Sequence, residues 1–145
     1  VYRNFLDGLE HVALSKGEPD PSKESLVRVH KIDFAGDILY EKSPRSGLIW
    51  DTMQQLAAYD GHAVLVLIRE GSIDTLLERL GANKRQIDRK EQNIREYGVG
   101  AQILVDQGVK TMRLITGTLP KLIGLEAYDI ELAGITPPVK GKAQP

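Results

Sequence analysis

The chain has no cysteine, so neither a disulfide nor a thiolate-bound metal is open to it. It does not need either to fold. A chain of 145 residues buries about 70% of the surface that its unfolded form exposes, which is a sizeable single core. An excess of one charge sign is also missing: 19 Lys and Arg stand against 20 Asp and Glu. That balance gives no reason to expect nucleic acid or an anionic membrane as partner, although a local basic pocket for one phosphorylated ligand is still compatible with it. No apolar run reaches the roughly 18 residues of a membrane span. The opening Val1-Tyr2-Arg3-Asn4 has neither an initiator Met nor a basic-then-apolar leader. The expectation is a piece of a longer polypeptide, located in the cytoplasm. Internal repeats and low-complexity tracts are absent too.

What is present reads as strands first and alternating units later. Glu10 to Ser15 and Ser25 to Ile32 carry strand patterns, separated by the turn-rich Gly17-Glu18-Pro19-Asp20-Pro21. Gly36 to Tyr40 is a further short strand candidate, and Ser43-Pro44-Arg45-Ser46-Gly47 breaks the chain before a helix. From Leu48 to Tyr59 the apolar positions Ile49, Met53, Leu56 and Ala57 fall at helical spacing, with Gly61 as the stop. Ala63 to Ile68 is wholly apolar, the signature of a strand buried on both faces. A helical stretch follows at Thr75 to Leu80, and the charged run Asn83 to Glu96 predicts an exposed helix or loop. Ala101 to Val105 continues as helix to Gly108. Val109 to Thr116 predicts a strand, Leu122 to Tyr128 a short helix and Ile130 to Ile135 a last strand. The fold class is α/β (α+β) with a mixed sheet over residues 1–138, followed by a disordered tail over 139–145. Pattern alone names no function.

Three segments carry a resemblance. They are Leu26-Val27-Arg28-Val29-His30 with Gly36-Asp37, then Tyr97-Gly98-Val99-Gly100-Ala101-Gln102-Ile103-Leu104 with Gly108-Val109, and Met112-Arg113-Leu114-Ile115-Thr116 continuing to Lys121 and Gly124-Leu125-Glu126. In this order and spacing they resemble the GTP cyclohydrolase II family, over about residues 10 to 138. Leu6 to Leu14 resembles the start of that domain in riboflavin-biosynthesis fusion proteins, where a 3,4-dihydroxy-2-butanone 4-phosphate synthase precedes it. The resemblance implies a domain that opens the imidazole ring of GTP with a zinc held by three cysteines. In register those positions are Asp33, Pro44 and Ser46, and none is a thiol. Proline has no donor atom and a serine hydroxyl is a poor zinc ligand. The implied catalytic carboxylate falls at Asn93 and the guanine-reading glutamine at Ile49. The segment near the phosphates reads Glu70-Gly71-Ser72, and the stretch between Leu80 and Arg95 is shorter than the family's by roughly a dozen residues.

Other positions survive. By resemblance Arg28 and His30 contact the nucleotide, as do Glu70 and Gly71, Arg95 is the vestigial arginine at the α-phosphate, and Thr116 and Lys121 close the site. Each also has a plainer reading: His30 as a satisfied core histidine, Arg95 as part of a solvated face, and Thr116 as a helix cap. His11 and His62 read as structural, Gly98 and Gly100 as close helix packing, and Trp50 as core or interface. Glu70 and Asp74 have no fixed geometry as a carboxylate pair. The expectation is a domain without zinc or other cofactor and without ring-opening activity, supporting or regulating an upstream synthase in a homodimer. Two alternatives stand beside it: a module binding a nucleotide or metabolite through Arg28, Arg95, Thr116 and Lys121, or metal-free pyrophosphate release from GTP using Arg95.

Overall fold

The structure, a computed structural model, describes residues 1–69, 81, 89–117 and 125–140, with 89–97 and 126 described by backbone alone. Six strands form one sheet among these residues: β1 (Tyr2–Arg3), β2 (Glu10–Lys16), β3 (Ser25–Lys31), β4 (Ala63–Ile68), β5 (Thr111–Ile115) and β6 (Glu131–Thr136). Their order is β1-β2-β4-β3-β5-β6. β4 runs parallel to β3, which runs parallel to β5, and β5 to β6, whereas β1–β2 and β2–β4 pair antiparallel. The sheet is mixed, as the sequence predicts.

The apolar run of β4 has its cause in two cores. Val64, Val66 and Ile68 join Val27, Ile103, Leu104, Met112 and Leu114 in one buried cluster, under helix α2 (Arg89–Asp106). Ala63 and Leu65 join Leu26, Ile115 and Leu56 in the other, under helix α1 (Leu48–Ala58). Successive side chains of a strand point to opposite faces, so a strand between two helical layers must be apolar throughout. Gly100 faces the sheet, where a Cβ would lie 3.4 Å from Val29 Cγ1. A Cβ at Gly98 would meet the Tyr128 hydroxyl at the same distance. At both positions an added Cβ would make ordinary van der Waals contact, so close packing alone does not demand glycine there. Trp50 is 46% exposed and is not a core residue.

The largest correction concerns Gly36 to Tyr40. Instead of a strand, Phe34–Ile38 is a π-helical turn, in which Leu39 N donates to Phe34 O at 3.1 Å. The Asp37 backbone N–H donates to Asp33 O at 2.7 Å, while its carboxylate accepts from Asp33 N at 2.8 Å. These local bonds curl the segment and take away the groups that a sheet ladder would need. Strand β1 leaves no pattern in the sequence, because two residues carry no periodicity. The expected strand from Val109 to Thr116 is shorter at both ends, and it starts late because the chain leaves α2 through Gly108 at φ 76°. Of the expected helix from Leu122, a 3-10 turn at Glu126–Tyr128 is described, and residues 122–124 lie outside the described set. Thr75 to Leu80 lies wholly outside it, and the charged run is helical from Arg89 onward. Val139 N donates to Gln55 Oε1 at 3.1 Å, tying residue 139 to α1, and 141–145 are outside the described residues.

Candidate functional site

The site forms where β3 ends beside β5. Arg28 and His30 sit two apart on β3, so the strand's period puts both side chains on one face. Arg28 Nη1 donates to Ile115 O at 2.9 Å, which places the end of β5 against the same guanidinium, with Thr116 the next residue in the chain. Arg28 Nη2 lies 3.5 Å from His30 Nδ1. Arg28 Nε is buried with no hydrogen-bond partner among the described residues.

His30 is fully buried and pairs with Asp37, Nε2 to Oδ2 at 2.7 Å. Burial is the main influence on its pKa and lowers it, opposed by the Asp37 hydrogen bond and charge and reinforced by Arg28 and Arg45. A neutral ring with its proton on Nε2 satisfies the geometry. It donates to Asp37 and turns a lone pair on Nδ1 toward Arg28. Burial, then the charge of Arg45, also lowers the Arg28 pKa. Arg45 therefore belongs to this electropositive group. No sequence motif marks it beyond its place between Pro44 and Ser46. Asp37 holds the site by accepting from both His30 and Asp33 N, a role that its place in the Gly36-Asp37 pair alone does not disclose.

His62, also buried, shares a 2.8 Å hydrogen bond with Ser25, and burial lowers its pKa. His11 is buried and accepts from Arg69 N at 3.2 Å. Both occupy structural positions. With His30 and His62 depressed, the unfolded chain binds more protons than the folded one below an unfolded histidine pKa of about 6.5. Stability is therefore fully present above about pH 6.5 and falls as the pH drops toward the folded values. The urea midpoint is expected to be lower at pH 5.5 than at pH 7.5, and a midpoint that rose on acidification would contradict this assignment.

Asp33, Pro44 and Ser46 are the positions to test against zinc. Ser46 Oγ donates to Glu41 O and accepts from Ser43 N at 3.0 Å. Ser43 Oγ lies 3.4 Å from Ser46 Oγ and accepts from Arg45 N at 3.2 Å. A Cβ on Gly36 would come 3.0 Å from Asp33 Oδ2 and 3.9 Å from Ser43 Oγ, so the absent side chain lets these two groups draw near. One carboxylate, hydroxyls already engaged in the loop and a proline do not make a structural zinc donor set. No group of three or more His, Cys, Asp or Glu is placed to hold a metal among the described residues.

Of the other expected site residues, Arg28 and His30 are brought together, Thr116 follows the Ile115 carbonyl that Arg28 holds, and Glu70, Gly71 and Lys121 lie outside the described residues. Asn93 and Arg95 are on the N-terminal half of α2, with backbone alone described. Ile49 lies on the first turn of α1, half-buried.

The profile of the family described as GTP cyclohydrolase II matches residues 1–137. This chain belongs to the GTP cyclohydrolase II family. Among relatives, it is 38% identical over 150 residues to the bifunctional riboflavin biosynthesis protein RIBA 1, chloroplastic, of Arabidopsis thaliana, covering 94% of this chain and 27% of that one. To the monofunctional riboflavin biosynthesis protein RIBA 3, chloroplastic, of the same plant it is 37% identical over 151 residues, covering 95% and 30%. In fold it is similar to RibBX, a two-domain 3,4-dihydroxy-2-butanone 4-phosphate synthase from A. baumannii, with a TM-score of 0.54 and 27% identity over 87% of this chain and 31% of that one. This GTP cyclohydrolase II-family chain thus spans about a third or less of each of these relatives. It is as close to one named bifunctional as to one named monofunctional. No helix among the described residues is long and apolar enough to cross a membrane, and the two plant relatives are named chloroplastic.

Proposed function

We propose that this domain of a riboflavin-biosynthesis protein does not open the guanine ring and instead supports a 3,4-dihydroxy-2-butanone 4-phosphate synthase joined to it, within a homodimer. The observation that carries the reading is Ser46: at a position the family gives to a zinc ligand, its hydroxyl closes a loop between Glu41 O and Ser43 N. Coupling between packed halves of about 1–3 kcal/mol is enough to change activity several-fold to a hundred-fold. The experiment compares synthase turnover and dimer stability in the full protein, in the synthase half alone, and in full-length Arg28→Ala/Lys121→Ala. Loss on deletion but not in the double variant assigns a structural contribution. Equal rates and equal dimer stability in all three would defeat the proposal.

A second reading has its own support. A buried guanidinium nitrogen without a partner, near a second arginine, suits an anionic ligand such as a nucleotide phosphate. Arg28 and Thr116 would hold it together with Lys121, while His30, buried between Asp37 and Arg28, would orient the guanidinium. If Arg28→Ala removes a response of synthase turnover to added GTP, the domain is a ligand sensor.

A further inference from the structure

The turn between β1 and β2 is closely built. Asn4 N donates to Leu9 O and Gly8 N to Asn4 O, both at 2.8 Å. The Asn4 side chain accepts from Leu6 N at 3.0 Å and donates to Asp7 Oδ2 at 2.9 Å, while Asp7 Oδ1 accepts from Leu9 N at 2.9 Å. At the base, Arg3 pairs with Glu10 at 2.7 Å. Tyr2 donates to Asp106 Oδ2 at 2.5 Å and accepts from Gln107 Nε2 at 2.6 Å, fixing the hairpin to the end of α2. The polar groups of the tip are thus spent on its own shape. What it offers outward is Phe5 and Leu6, 97% and 91% exposed. A preformed tip that turns a phenylalanine and a leucine to solvent has the character of a docking knob, since its backbone needs no further ordering on contact.

Size decides the occupant. A stable interface between separate proteins needs about 800 Å² from each partner, and one aromatic with one leucine supplies far less. A small patch does suffice for a domain on the same chain, where a short tether sets an effective concentration in the millimolar range. Phe5 lies about 13 Å of extended chain from Val1. The relatives named above carry most of their length outside the region matched by this domain. We infer that Phe5 and Leu6 seat the GTP cyclohydrolase II-family domain on the synthase domain of its own chain. This rests on the proposed fusion to a synthase.

Hydroxyl-radical footprinting of the full-length protein tests it, because the domain's sequence contains two phenylalanines and the other, Phe34, is 52% exposed and serves as reference. Phe5 is expected to oxidise at least about fivefold more slowly than Phe34, unchanged by dilution to monomer. In full-length Phe5→Ser/Leu6→Ser, tryptic cleavage after Arg3 should accelerate several-fold. Oxidation of Phe5 as fast as Phe34, or no change in cleavage, overturns the inference. Protection that disappears with dilution overturns it in favour of a second copy. Synthase turnover measured on the same sample separates the two claims. A sample with synthase activity but an unprotected Phe5 refutes the docking alone, and a full chain lacking a synthase refutes the fusion on which it rests.

Discussion

Asp37→Ala is expected to cost about 2–4 kcal/mol of stability, because two N–H donors lose the acceptor they share and each buried donor left unsatisfied costs about 1–3 kcal/mol. The carboxylate accepts from His30 Nε2 at 2.7 Å and from Asp33 N at 2.8 Å. Alanine leaves the imidazole N–H without its acceptor in a place closed to water, because His30 is 1% exposed. It also frees the π-helical turn that carries the loop toward Ser43 and Ser46. For a domain of this size each kcal/mol moves the melting temperature by about 2–4 °C, so a fall of roughly 4–16 °C should appear in a thermal melt of the full protein. Asp37→Asn keeps an acceptor oxygen of the same shape and should lose less. A loss below about 1 kcal/mol for the alanine variant would show that the pair does not hold the site.

This pair also marks the limit of what the sequence discloses. Strands β3 and β4 and helix α1 are legible because burial imposes a period on them, and β4 shows two-sided burial as an unbroken apolar run. The turn at Phe34–Ile38 has no such period. It is set by where a single carboxylate points, a tertiary fact that local propensity does not record. The site divides in the same way. Arg28 and His30 are legible together as alternate residues of one strand. Arg45 joins them through a loop whose course depends on Ser43, Ser46 and the missing side chain of Gly36. Nor could an apolar pair such as Phe5-Leu6 be told from core residues before the turn's hydrogen bonds showed them facing outward.

Incubation with GTP is expected to release no formate, and protein purified without chelator should carry well under one zinc per chain. Zinc lowers the pKa of its bound water from about 15.7 to about 7, a gain of roughly 12 kcal/mol in forming hydroxide near neutral pH. The groups at the three positions are a carboxylate, a proline and a hydroxyl engaged with Glu41 O and Ser43 N. Hydroxyls and amides supply nothing of that size, and Asn93 offers no carboxylate as a base at the position the family gives to one. Two measurements separate the metal from the chemistry. In the first, a chelator should leave the melting temperature unchanged, because the hydroxyls of Ser43 and Ser46 close the loop with their own hydrogen bonds. In the second, Asp33→Cys/Pro44→Cys/Ser46→Cys restores three thiolates and should bind cobalt with the strong absorption of a thiolate complex. Ring opening should stay absent, since Ile49 and Asn93 are unchanged. A stoichiometric zinc that survives dialysis of the unmodified protein would overturn this reading and direct attention to Asp33 and Asp37 as its ligands.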